Sequence, residues 1–364
     1  IDFHSAACRL STGSIMQAHH LICMHSYACY NSRHRIPPRF GGDQRKRGVS
    51  GMADRYLITG GAGFIGSHLV KHVLGTGGVV RVVDNLSTGS AERLNQVGES
   101  VQVVTGDLAD NSVAAEAVKD IDYVLHQAAV PSVQRSIVDP AGTNRSNVTA
   151  TLNLLENSRK AGVRRFVYAA SSSAYGDTEV LPKNEQMAAN PLSPYALQKW
   201  VGERYCKLYH ELYGLETVSL RYFNVFGPGQ DPYSEYSAVV PRFTTKLLAR
   251  EPITVYGDGE QSRDFTYIDN VIEANLLALR APNAPGEVCN IGCGQRVTLN
   301  QLIRILEELL GVRAQVTYAP AKPGDVRHSL ADISKATRVL GYVPKIDIEE
   351  GLRRTVEAFA KIND

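Results

Sequence analysis

From Arg55 onward, short apolar runs alternate with segments in which apolar residues recur at helical spacing. The runs fall at 56–59, 79–83, 101–104, 123–126, 166–169 and 217–220. They are rich in Val, Ile, Leu and Tyr and mostly lack a hydrophobic-in, polar-out alternation, as strands buried on both faces do. Segments long enough for crossover helices lie between them, for example 65–74 and 147–160. Together they predict an α/β fold, a Rossmann-type doubly wound parallel sheet with right-handed crossovers. After Asn224 the pattern changes: Pro and Gly become dense, strands shorten, and amphipathic helices are predicted near 298–310 and 348–362. The expected division is an extension over 1–51, a sheet domain over 52–225, and a smaller mixed α/β domain over 226–364. Some of the last segment is expected to cross back to the sheet domain.

Composition changes this picture only at the N-terminus. Residues 1–51 hold five of the ten histidines, three of the six cysteines (Cys8, Cys23, Cys29), and seven Lys/Arg against two acids. That leaves 32 Lys/Arg against 35 acids for residues 52–364, a mildly acidic body with no sign of a nucleic-acid-binding face. The His and Cys residues lack the close spacing of zinc ligands, so no metal is expected. The segment shows no sustained period and is read as an unstructured or non-native extension, with Met52 the expected start. No apolar run approaches the roughly 20 residues that cross a bilayer. The three remaining cysteines are scattered as in a reduced, cytoplasmic enzyme.

Three motifs carry chemistry. Thr59-Gly-Gly-Ala-Gly-Phe-Ile-Gly66 follows the first strand and opens the first helix. Gly60, Gly63 and Gly66 permit a tight turn, a close backbone approach to a pyrophosphate, and tight packing of helix on strand. Strand two ends in Asp84, whose carboxylate suits a ribose diol and repels a 2′-phosphate, so NAD is the expected cofactor. In Tyr195-Ala-Leu-Gln-Lys199 a phenol and an ammonium share a helix face, and a nearby cation stabilises a phenolate base. Ala170-Ser-Ser-Ser-Ala-Tyr-Gly176 follows strand five and offers hydroxyls to a reacting sugar oxygen. Each motif alone has an ordinary structural explanation, but their order along one chain is specific. His126, within a strand run, is read as structural rather than as a base.

On these residues the chain resembles the extended short-chain dehydrogenase/reductases of the nucleotide-sugar epimerase/dehydratase family, most nearly the UDP-hexose 4-epimerases. The resemblance runs from residue 55 to about 362. It is also carried by Asp84-Asn-Leu-Ser-Thr-Gly89, Gly106-Asp-Leu108, His126-Gln-Ala-Ala129, Asn147-Val148, Arg221-Tyr-Phe-Asn-Val-Phe-Gly-Pro228 and Arg263-Asp-Phe-Thr-Tyr-Ile-Asp269. It implies NAD contacts from Phe64, Ile65, Asn85, Ser87, Thr88, Gly89, Asp107, Leu108, Gln127, Ala128, Ala129, Asn147 and Tyr222, as well as the glycines, Asp84, Tyr195 and Lys199. It implies a UDP-sugar substrate held by Ser132, Ser171, Ser172, Asn224, Val239, Tyr256, Arg263, Asp325 and Ser329. Tyr195, Lys199 and Ser171 would be catalytic. The loop usually written Arg-x-Gly-Asp here reads Lys322-Pro-Gly-Asp325, which keeps the charge but loses the bidentate fork.

The resemblance further implies a subclass. Dehydratases and decarboxylases of this family carry acids in the motif after strand five, whereas Ser171 to Ala174 contains none. That favours 4-epimerisation over a decarboxylase or dehydratase, and the intact Tyr-Lys pair argues against a non-catalytic NAD-binding sensor. Four residues after Asp325 stands Ser329, at the position that the resemblance implies lines the hexose pocket, where a bulky tyrosine would crowd the sugar 2-substituent. Serine predicts acceptance of N-acetylated UDP-hexoses alongside UDP-glucose and UDP-galactose. Apolar stripes on the helices spanning 147–160 and 195–213 usually face a protein's own core, but the resemblance implies that these helices pair across a twofold axis, so a homodimer is expected.

Overall fold

The computed structural model describes residues 53–95, 100–232, 238–321 and 326–363. The expectations for residues 1–51, Met52, Lys322 and Asp325 lie outside those residues. The six predicted strands form β1 (Arg55–Thr59), β2 (Val79–Asp84), β3 (Val101–Thr105), β4 (Tyr123–His126), β5 (Arg165–Ser171) and β6 (Glu216–Tyr222). A seventh strand, Val288–Ile291, pairs with β6. The sheet runs Val288–Ile291, β6, β5, β4, β1, β2, β3, with every pairing parallel.

Successive strand residues point to opposite faces, and both faces are buried. Ile58, Val82, Leu125, Val167 and Val218 enter one core. Leu57, Val83, Val124, Phe166 and Tyr168 enter the other. This is why the strands read as continuous apolar runs. The helices α1 (Phe64–Gly75), α2 (Ala150–Ala161), α3 (Pro194–Tyr213) and α4 (Ile268–Arg280) flank the sheet. Ser193 caps α3 by accepting from Ala196 N, Pro194 opens it, and Gly214 ends it at φ +73°. The predicted helix at 147–160 differs at its start. Arg145–Thr149 forms a turn of π-helix before α2 begins.

Strand order reverses about β1, with β2 on one side and β4 on the other, so the crevice opens at the carboxyl ends of these strands. The later segment borders that crevice through Arg263, Val326 and Ser329 and also forms a parallel pair, Ile253–Tyr256 with Val316–Ala319, and the helices Leu299–Leu310 and Ile348–Asn363. No helix among the described residues is long and apolar enough to cross a membrane.

Candidate active site

A cavity of about 670 Å³ runs along the carboxyl ends of the strands from the glycine turn to Ser329. At one end the glycines are required by geometry. Gly60 sits at φ +67°, and a Cβ there would lie 2.8 Å from Ala128 N. A Cβ on Gly66 would lie 2.1 Å from Gly60 O. One on Gly89 would lie 2.7 Å from the Ala62 Cβ, so Gly89 packs the neighbouring loop onto the turn. Asp84 accepts from Ala62 N at 2.9 Å and Leu86 N at 2.8 Å, so its carboxylate also shapes the turn. Phe64, Ile65, Asn85, Ser87, Thr88, Asp107, Leu108, Ala128 and Ala129 line this part of the cavity, as does Arg93, which the motifs did not single out.

In the middle of the cavity, Gln127 Nε2 donates to Tyr222 Oη at 3.2 Å and to Asn275 Oδ1 at 3.3 Å, while Tyr222 Oη donates to Asn275 Oδ1 at 3.1 Å. Burial pushes the Tyr222 hydroxyl up to about 12. Asn275, one of the residues the sequence did not single out, completes this trio from α4. Asn147 does not line the cavity. Its amide is engaged with Val130 N, Val130 O and Gln198 Oε1, so it braces the loop after β4 from within the π-turn.

The Tyr-Lys pair lies on the first turns of α3. Lys199 is buried, donates to Ala169 O at 2.9 Å, and sits 5.2 Å over the Tyr168 ring. Burial lowers its ammonium to about 8. Tyr195 and Ser171 line the same cavity, and the Ser171 hydroxyl is close enough to favour the phenolate. Burial raises the Tyr195 hydroxyl, and the neighbouring Ser171 hydroxyl opposes this only in part. The lowering that the i, i+4 spacing predicts is therefore not realised within the protein alone, because desolvation of the phenolate outweighs it. Ser171 Oγ also accepts from Ser173 Oγ at 2.8 Å. Ser171 and Ser172 line the same wall. His126 is structural: Thr59 Oγ1 at 2.7 Å and Thr151 Oγ1 at 2.9 Å hold its two ring nitrogens, and burial drives it down to about 3.

At the far end, Asn224 (φ +28°) donates from Nδ2 to Ser329 Oγ at 3.1 Å and to Asp264 O at 2.9 Å. Arg263, Ser132 and Ser329 line the cavity here. The buried Lys183, which sequence reasoning missed, donates to Gly176 O at 2.7 Å and steadies the turn after the serines. Val239 and Tyr256 line an adjoining cavity of about 320 Å³ that shares Asn224 and Arg263 with the first. Among the described residues, no cluster of His, Cys, Asp and Glu is arranged to hold a metal ion.

The model of the NAD dependent epimerase/dehydratase family matches residues 56–292. The putative UDP-glucose 4-epimerase of Methanocaldococcus jannaschii is 41% identical over 302 residues, 82% of this chain and 96% of that protein. The structure of the Thermotoga maritima UDP-glucose 4-epimerase with UDP-glucose superposes with a TM-score of 0.82 at 41% identity, covering 85% of this chain and 100% of that one. A UDP-N-acetylglucosamine 4-epimerase from Methanobrevibacter ruminantium, in complex with UDP-N-acetylmuramic acid, gives 0.81 at 40% identity, covering 85% and 100%. With the glycine turn, the Tyr-Lys helix and the serine strand end meeting on one cavity, the chain belongs to the NAD-dependent epimerase/dehydratase family.

Proposed function

We propose that this chain interconverts UDP-hexoses at C4, turning UDP-glucose into UDP-galactose and accepting their N-acetylated counterparts. The observation that carries this reading is that Tyr195, Lys199 and Ser171 converge on one cavity with a glycine cradle at one end and Asn224, Arg263 and Ser329 at the other. The turn between β1 and α1 fits a dinucleotide: it is packed so closely that a Cβ at Gly60 would meet Ala128 N and one at Gly66 would meet Gly60 O, which leaves bare main chain at the start of α1. Bound there, NAD supplies a reversible two-electron acceptor for C4.

The chain's own residues supply the rest. Tyr195 Oη takes the proton of the sugar 4-hydroxyl and later returns it, and Ser171 Oγ holds the same oxygen. A cation beside a desolvated phenol favours the phenolate strongly, so the burial that raises Tyr195 also sharpens its response to a positive ring. Lys199 keeps the helix face positive. Asn224 and Arg263 hold the diphosphate while the flat 4-keto sugar turns its other face. The absence of a carboxylate between Ser171 and Ala174 supports epimerisation over elimination or decarboxylation.

Incubation with a panel of UDP-hexoses, without added NAD, and separation of the products tests this reading. Equilibrating C4 epimers are expected; loss of carbon dioxide or water would identify a lyase instead. The same reading includes a homodimer through α2 and α3, where Leu208 and Leu212 are exposed. A monomeric mass at micromolar concentration would refute that part.

A further inference from the structure

Asp264 is completely buried. Its carboxylate accepts three backbone N–H groups: Cys293 on Oδ1 at 2.8 Å, with Gly294 at 3.0 Å and Ala331 at 3.1 Å on Oδ2. Two of these are successive amides just after the seventh strand, a concave arrangement that suits an anion. The third lies two residues beyond Ser329. The local sequence makes room for the carboxylate. A Cβ on Gly292 would stand 2.9 Å from Asp264 Oδ2 and 2.7 Å from the Ala331 Cβ, and Gly294 turns at φ +69°.

The backbone of the same residue faces the substrate end. Its carbonyl accepts from Asn224 Nδ2, and that nitrogen also reaches Ser329 Oγ. The preceding Arg263 donates from Nη1 to the carbonyls of Ser262 and Arg327, each at 3.0 Å. Three residues read as substrate contacts therefore converge on a stretch of chain anchored by one carboxylate. Burying an anion is costly, and an apolar side chain would fill the space more cheaply. What a carboxylate adds is charge-assisted hydrogen bonding, roughly twice as strong as a neutral bond and directional. Burial pushes Asp264 only to about 6, because the three N–H bonds oppose the shift, so it is ionised at neutral pH.

We propose that Asp264 is a positioning residue for the UDP-sugar: its carboxylate locks the segments carrying Arg263 and Ser329 against Asn224 without touching the substrate. The inference rests on the UDP-sugar reading above. It separates binding from chemistry, since Tyr195, Lys199 and Ser171 stand on other elements.

The test is Asp264→Asn in the full chain, which keeps the shape but turns an N–H toward the backbone donors. UDP affinity by calorimetry, KM and kcat with UDP-galactose, bound NAD and thermal midpoint are measured together. The expected result is a loss of about tenfold in UDP affinity and a matching rise in KM, with kcat within about threefold and bound NAD unchanged. A folded variant whose UDP affinity stays within about twofold of wild type would overturn the proposal. If the wild-type chain fails to bind UDP, the UDP-sugar reading itself falls, and this proposal with it. If the variant does not fold, amide exchange in the wild-type chain decides. Added UDP should slow exchange at Cys293, Gly294 and Ala331 together, and unchanged exchange there would overturn the proposal.

Discussion

Glu203 and Arg221 meet as a bidentate pair, with Oε2 to Nε and Oε1 to Nη2 both 2.7 Å and both side chains no more than 5% exposed. Glu203 lies one turn beyond Lys199 on α3, and Arg221 stands beside Ala170 in the β5–β6 register. The guanidinium also lies 4.6 Å over the Tyr175 ring, whose hydroxyl donates to Asn290 on the seventh strand. One ion pair thus ties the Tyr-Lys helix to β6, beside the end of β5 that carries Ser171. Removing one partner leaves a buried charge uncompensated, so Glu203→Gln should cost about 3–5 kcal/mol in urea unfolding. Replacing both with Leu should cost much less than the two single losses added, which a double-mutant cycle will read.

Tyr195→Phe deletes the proposed base and leaves the glycine turn, Asp84 and the Gln127–Tyr222–Asn275 trio intact. Turnover should fall by about 10²–10⁴, the usual size of a general acid–base contribution. Bound NAD, followed by its absorbance, should be unchanged. Near-normal turnover would remove Tyr195 from the chemistry.

His126 supplies a pH dependence with a definite sign. Its folded-state value is about 3 against 6.5 for a free imidazole. Between these values the unfolded chain binds the proton and the folded chain does not, so stability is lost as pH falls through that window. From pH 6.5 to 5 the loss from this residue is about 2 kcal/mol. Urea midpoints across that range should fall less steeply in His126→Gln than in wild type. Parallel slopes would mean that the ring is not buried neutral.

Ser329→Tyr tests the sugar pocket. Ser329 is 7% exposed and bonded to Asn224, so a phenol there must project into the cavity or displace that amide. Turnover of the N-acetylated UDP-hexoses should disappear while UDP-galactose is still converted. Equal loss of both pairs would show that the ring disturbs Asn224 rather than crowding the 2-substituent.

The sheet was legible because its central strands are buried on both faces, which leaves apolar runs with little else to explain them, although the edge strand β3 exposes Val103. The glycine turn was legible because side chains at Gly60 and Gly66 collide with backbone. The Tyr-Lys pair was legible as spacing, but its protonation was not, since desolvation depends on everything packed around it. Asn147 shows another limit. The π-turn that aims its amide at Val130 leaves no trace in hydrophobic period, so the side chain braces a loop beside the cavity instead of lining it. Lys183 and Asp264 sit in irregular segments, where no period reports burial and only the assembled loops show what each charge holds. Val239 and Tyr256 fall in the adjoining cavity for a similar reason, because the boundary between two hollows is a property of the packed later segment.

The strand Val288–Ile291 enters the main sheet only after more than sixty residues of the later segment have intervened since β6. Its main-chain groups close the row that β6 would otherwise leave open to solvent. A fragment ending near residue 225 would therefore carry the whole glycine turn and the Tyr-Lys helix, yet present a naked β6 margin ready to pair with a neighbour's. During synthesis the same margin stays uncovered until the chain has grown past Ile291, so the nucleotide-binding half carries an unpaired edge until the part that follows it is made. The two halves are joined less like beads on a string than like a zip whose last tooth is moulded on the other side.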